Sequence, residues 1–348
     1  MPFTCRNSLH IGGRLATMAI VVLVVCNAAV ALDPRKSIGQ FIHQAWQTED
    51  GLPDSSVTTI LQTREGYILF GTHRGLVRFD GVRFTVFDRR NTPAIAADSI
   101  DALCEDASGT LWVGTAVGSH RFEGGRLGQR SRGVTITSGP VQAITEDPGG
   151  GIWIGTAEGG ASLVRDAGTT TLTTSNGLSS DMVRALEVGR DGSVWIGTYN
   201  GGLNRYRDGV VTVFTTREGL ASNNVQAIFE DRSGAVWVGT DGGLSRFQDG
   251  TITTYTVKDG LTVNSVRAVT EDRDGDLWIA TFGGLNRLHN GVFSSFTSKT
   301  GLTNDVILAL FEDREGNLWI GTEGGGLNRL KDGMITTMSL SWDSGRFA

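Results

Sequence analysis

Five histidines, three cysteines and a scatter of acids and arginines are the side chains from which this 348-residue chain could build chemistry. His10, His43, His73, His120 and His289 stand apart, none paired at metal-ligand spacing and none grouped with cysteine, so no metal site is expected. No Gly-x-Ser-x-Gly elbow is present, and no glycine-rich phosphate loop precedes a helix. Cys5 and Cys26 lie in the N-terminal segment, which leaves Cys104 alone in the folded part and forbids an internal disulfide there. These residue types assign no catalytic group and no cofactor. What they do suggest is binding. At one recurring place the residue changes from copy to copy, through Thr58, Asp101, Gln142, Arg184, Gln226, Arg267 and Leu308, while its surroundings stay fixed. Variation inside a constant frame is what a recognition surface would show.

The frame is a short strand-like motif. Trp112-Val113-Gly114-Thr115, Trp153-Ile154-Gly155-Thr156, Trp195-Ile196-Gly197-Thr198, Trp237-Val238-Gly239-Thr240 and Trp319-Ile320-Gly321-Thr322 are its cleanest copies. Trp278 heads a copy with Ala280 for Gly, and Leu69 a copy in which Leu replaces Trp. The seven anchors are spaced 43, 41, 42, 42, 41 and 41 residues apart. A period of about 40–45 residues indicates propeller blades or helical repeats, and short runs rich in Trp, Val and Ile choose strands. Residues 219–256 give one unit: a strand over Val225–Phe229, a turn at Glu230–Gly234, the Trp strand, a third strand over Leu244–Phe247, an Asp249-Gly250 hairpin and a fourth strand over Thr251–Thr256. Gly, 49 of the residues, sits at fixed places and reads as turn chemistry. The expected fold is all-β, a seven-bladed β-propeller of four-stranded antiparallel blades, with the anchors buried between blades. The repeated Arg78, Arg121, Arg205, Arg246, Arg287 and Arg329 recur in every blade but the third, so a structural role is expected, in pairing with the repeated acids.

The ends bear on closure. Phe41 to Thr48 matches a fourth strand but has no blade of its own, so it is expected to complete blade seven; Met334 to Leu340 competes for that slot. The propeller is placed at 38–340, and 341–348 is a divergent or truncated tail. At the other end, Arg6 and Arg14 precede an apolar run, Leu15 to Ala31, ending Ala29-Val30-Ala31. These are the parts of a signal peptide over 1–31, with a retained signal anchor as the rival. The net charge is −6, without a basic run, which argues against a nucleic-acid partner.

Propellers bind ligands at one mouth of the central channel, on a face built from two sets of turns and the variable strand position. The turns entering strand one supply Asp54, Asp181, Asn223, Asn264 and Asp305. Those between strands two and three supply His73, Arg74, Glu158, Tyr199, Asn200, Asp241, Phe282 and Glu323. The variable position adds Asp101, Arg184 and Arg267. This mixture suits a polar ligand such as a sugar; ordinary solvated turns would have a similar composition.

Asp50-Gly51-Leu52-Pro53, Gly66-Tyr67-Ile68-Leu69-Phe70-Gly71-Thr72, Gly75-Leu76-Val77-Arg78-Phe79-Asp80-Gly81 and the later Glu-Asp-x-x-Gly-x-Leu-Trp-Ile-Gly-Thr copies resemble the two-component regulator propeller repeat. The resemblance implies the sensor region of a bacterial receptor, set ahead of a membrane helix and a histidine kinase or diguanylate cyclase. Neither output domain lies within these residues. The expected function is therefore an exported, periplasmic or periplasm-facing and membrane-anchored sensor without catalysis of its own. It would bind a small-molecule or oligosaccharide ligand and pass occupancy to a downstream kinase or cyclase module by blade packing or a homodimer contact. Two alternatives stay open: a stand-alone enzyme resembling streptogramin lyases, which need a clustered His and Glu at the channel mouth, and a protein-docking ring.

Overall fold

A computed structural model describes residues 32–33, 35–122 and 134–333, with backbone alone for 134–138. The expected signal segment 1–31, the competing strand at 334–340 and the tail at 341–348 lie outside the described residues. Among the described residues twenty-eight strands form seven four-stranded antiparallel sheets, each a blade of consecutive strands except the last. In blade seven, Ile307–Glu312, Leu318–Thr322 and Leu327–Lys331 are joined on the outside by Ile42–Trp46. The register runs from Ile42 opposite Lys331 to Trp46 opposite Leu327. The N-terminal strand thus closes the ring, as its sequence indicates.

The hydrophobic pattern explains the stacking. Every Trp-type strand, such as Val194–Thr198, is buried along its whole length. All seven anchors are buried, and Trp278 fully so. Each anchor packs toward the next blade, as Trp195 does against Leu220, Val225 and Val238. At the seam, Trp46 of the closing strand stacks on Trp319 with ring centres 5.6 Å apart. Burying one such side chain is worth about 1.5–3 kcal/mol.

The glycine of the Trp motif is not a turn residue. It lies inside the strand, facing the next blade, and a methyl group on Gly197 would sit 2.4 Å from Val225 Cγ1. Its role is close approach between sheets. True turn chemistry is found at Asp249-Gly250, with φ of 52° and 77°, the left-handed pair expected of a tight hairpin.

The Glu-Asp pair divides its labour. Asp272 accepts the backbone N–H of Asp276 at 2.9 Å and the Trp278 indole N–H at 2.7 Å, both within its blade. Glu271 reaches back to the preceding blade and accepts the Arg232 backbone N–H at 2.8 Å. The Arg232 side chain reaches forward, donating to the Arg273 carbonyl at 2.5 Å. Across the seam Arg314 does the same to the Arg64 carbonyl at 3.0 Å. The repeated arginines of strand three rest on the anchors: Arg246 lies 5.5 Å from the Trp237 ring centre and Arg329 5.0 Å from that of Trp319. Acid pairing accompanies this at Arg205 with Asp191 and at Arg287 with Asp276. The arginines are structural, with aromatic rings as their main support.

Candidate functional site

The innermost strand of every blade carries the same irregularity. The pairing register skips one residue, between Val183 and Ala185 in blade four and at the equivalent place in the other six. The skipped residues are Thr58, Asp101, Gln142, Arg184, Gln226, Arg267 and Leu308. A β-bulge leaves its extra residue outside the ladder and re-aims its side chain. Here all seven side chains enter one cavity of about 460 Å³ at the channel mouth, joined by His73, Phe282 and Glu323. The residues that follow in the chain, among them Ala102, Ala143, Ala185, Ala227 and Ala268, line an adjoining space of about 240 Å³ that shares Asp101, Gln142 and Arg267 with the first.

The two arginines of this ring are held alike. The Arg184 guanidinium lies 5.6 Å from the Tyr199 ring centre, and Arg184 Nη1 donates to Gln142 Oε1 at 3.0 Å. Arg267 lies 5.4 Å from the Phe282 ring centre and donates from Nη1 to Gln226 Oε1 at 2.7 Å. Burial depresses the pKa of Arg267, and the like charge of Arg184 depresses it further, while Asp241 and Glu323 oppose them. On another side of the mouth, burial raises the carboxyl of Asp101 above its ordinary value, against the Ser99 hydroxyl and the charge of His73. Asp241 accepts from Gln226 Nε2 and Asn224 Nδ2, each at 3.2 Å. The site therefore offers hydrogen-bond donors, acceptors and charges of both signs around a partly exposed Phe282, which suits a polar ligand with an apolar face.

Of the residues expected from sequence, the cavity brings together His73, Asp101, Arg184, Arg267, Phe282 and Glu323, with Tyr199 behind Arg184 and Asp241 beside Gln226. The entry-turn residues are placed differently. Asp181 accepts the Thr174 backbone N–H at 2.6 Å, Asn223 that of Thr216 at 2.9 Å, Asn264 that of Val257 at 2.9 Å and Asp305 that of Ser298 at 2.6 Å. They tie the loop between blades to itself. Asp54 sits one place earlier in its turn, where it accepts the Ser56 backbone N–H at 2.8 Å and meets Arg74 at 3.5 Å. Asn200 adopts a left-handed turn with φ of 63°, and Glu158 is exposed; neither borders the cavity. Gln142 and Gln226, the acceptors for the two arginines, were visible in sequence as members of the variable position but carried no sign of that pairing.

Other cavities lie at the rim, of about 580 Å³ between blades two and three and about 520 Å³ between blades four and five. Both are the same groove between neighbouring blades and so belong to the repeat. Among the described residues no cluster of His, Cys, Asp or Glu has the makings of a metal site. His120 is buried beside Thr115, His43 contacts Asn328 and His289 contacts Asp276, all within the frame.

The profile of the two component regulator propeller family matches residues 51–74, 94–116, 135–158, 177–200, 219–242, 260–283 and 301–324, once per blade. No protein of curated function matches the chain. Among solved structures, the extracellular domain described as that of a hybrid two component system, BT3049 of B. thetaiotaomicron, is 24% identical with a TM-score of 0.73 over 83% of this chain and 42% of that one. A second from the same organism, BT4673, described as a one component system, is 25% identical with a TM-score of 0.72 over 84% of this chain and 40% of that one. The chain thus spans about two fifths of each of those extracellular domains. A catalytically inactive form of the virginiamycin B lyase of Staphylococcus aureus, with quinupristin, is 16% identical with a TM-score of 0.66 over 84% of this chain and 99% of that one, a likeness of fold.

Proposed function

Because the chain belongs to the two component regulator propeller family, we propose that it is the exported, ligand-sensing part of a bacterial receptor, with its site at the mouth of the central channel. The observation that carries this is the convergence of seven bulge residues, of five different types, into one polar cavity of about 460 Å³. A volume of that order accepts a small polar molecule or a short oligosaccharide. The extracellular setting of the BT3049 and BT4673 domains supports export. Occupancy would be relayed by blade packing or by a dimer contact to a downstream kinase or cyclase module. The test is a screen of sugars and small metabolites by calorimetry on the purified chain, repeated with Leu308→Trp, which fills the mouth. Ligands that bind the native ring and lose affinity at least tenfold in the filled one support the channel; ligands indifferent to the plug place sensing elsewhere.

A second reading has one observation in its favour. His73 and Glu323 line the same cavity as Asp101, so an acid–base pair at the mouth is within the means of this chain. Incubation with quinupristin and mass spectrometry would show a ring-opened product lost in His73→Ala; an unchanged substrate ends the lyase reading.

A further inference from the structure

The ring of bulge residues has a pattern of its own from blade three to blade six. Gln142, Arg184, Gln226 and Arg267 alternate, and each arginine repeats one arrangement. An aromatic ring of its own blade lies against the guanidinium, and a glutamine carbonyl of the preceding blade takes Nη1. The arrangement occurs twice, two blades apart, facing one cavity.

Both arginines are short of partners. The bond to glutamine is the one side-chain hydrogen bond each guanidinium makes among the described residues. Each rests on its glutamine and its aromatic ring with no carboxylate at ion-pair distance among the described residues, and the buried Nε of each has no hydrogen-bond partner. In the frame, partly buried Arg205 and Arg273 have carboxylate partners, while Arg246 rests on Trp237 with its own Nε unpartnered; what sets Arg184 and Arg267 apart is that they line one cavity. Glutamine is neutral, so it orients a guanidinium without cancelling its charge. Two like charges kept desolvated in one cavity oppose each other, which costs the empty protein stability and is relieved by an anion. The shift of Arg267 agrees in direction, since burial and the charge of Arg184 disfavour its protonated form and outweigh the opposing charges of Asp241 and Glu323. The nearby acid, Asp241, is engaged by Gln226, Asn224 and Ser265. Asp101 and Glu323 border the cavity from blades two and seven.

We propose that the channel mouth binds an oxyanion, the carboxylate or sulfate group of a small polar ligand, between Arg184 and Arg267, with Asp101 and Glu323 accepting from its hydroxyl groups. This rests on the channel being the ligand site. A planar guanidinium can present two N–H groups to such a group at once, which lysine cannot.

Calorimetry with D-galacturonate, succinate, inorganic sulfate and D-galactose tests it on the native chain, on Arg184→Gln, on Arg267→Gln and on Leu308→Trp. The expected result is binding of at least one of the three anions, absent for galactose and weakened by added salt. Affinity falls tenfold or more in each arginine variant and in the filled mouth. Preference for galacturonate over succinate identifies an acidic sugar as the source of the group; the reverse identifies an organic acid. A thermal melt of each variant excludes unfolding as the cause. Galactose binding as well as galacturonate, lost in Leu308→Trp but unchanged in both arginine variants, overturns the anion inference and leaves the channel site standing. Anion binding unchanged in every variant overturns both. No binding of any of the three anions at tens of millimolar overturns the inference.

Discussion

Glu187 and Glu312 have carboxyl groups that titrate near neutrality, at about 7 each. Burial is the first cause in both, joined by the charge of Glu230 at Glu187 and of Asp272 at Glu312. The ordinary value is 4.5, so between 4.5 and 7 the folded ring holds protons that the unfolded chain has released. The stability this gives is full below pH 4.5 and is lost as pH rises through 7. The melting temperature should therefore decline between pH 5 and 8, and Glu187→Gln or Glu312→Gln should flatten that decline; thermal melts across the range check it. At the channel, the sign for Arg267 is opposite to that of a paired surface arginine. Arg267→Gln should raise the melting temperature of the ligand-free ring, by about a degree or more, because it removes a desolvated charge facing another of the same sign. A lower melting temperature would show that its stacking on Phe282 outweighs the repulsion.

At the scale of the element, two devices set the blade: the bulge that turns one side chain inward and the glycine that lets sheets close. Gly197→Ala would press a methyl group onto Val225 and should cost about 1–3 kcal/mol, read from denaturant unfolding. Trp278→Phe would remove the indole N–H from the buried Asp272 and should cost about 1–3 kcal/mol by the same measurement. The sequence made much of this element legible. The anchors, the Asp-Gly hairpins and the inconstant second place of strand one can all be read off one copy laid over another. The bulge cannot, because a skipped register leaves no mark in residue types when every blade has it. Nor can the direction of a polar side chain. Glu271 reaches back to the blade before, Asp272 stays at home and Asn264 fastens a loop, yet all three stand in similar turn-like surroundings in the sequence. For that reason the turn residues and the channel residues looked equally suited to a ligand.

In the whole molecule, closure was legible and its fastenings were not. The unpaired strand over Phe41 to Thr48 announced that it belonged to blade seven, whereas the arginine hooks from blade to blade emerge only once the ring is assembled. Arg64, Arg190, Arg232, Arg273 and Arg314 all donate to carbonyls of the following blade. Blades two and three have Ala107 and Pro148 at the same place and lack the hook. Arg314→Ala, which unhooks blade seven from blade one, should hasten proteolysis at the seam, whereas the same substitution at the exposed Arg217 should not; limited proteolysis with mass mapping distinguishes them.

The register of the closing strand also fixes how the ring would bear a load. Ile42, where the strand begins, lies opposite Lys331, where its neighbour ends, so the chain enters and leaves at the same end of the ladder. Tension between those two points would not shear the ladder as a whole. It would peel the strands apart pair by pair, from Ile42 and Lys331 toward Trp46 and Leu327, with the Trp46–Trp319 stack near the far end. The seam is thus a zipper with its slider at the chain's own exits.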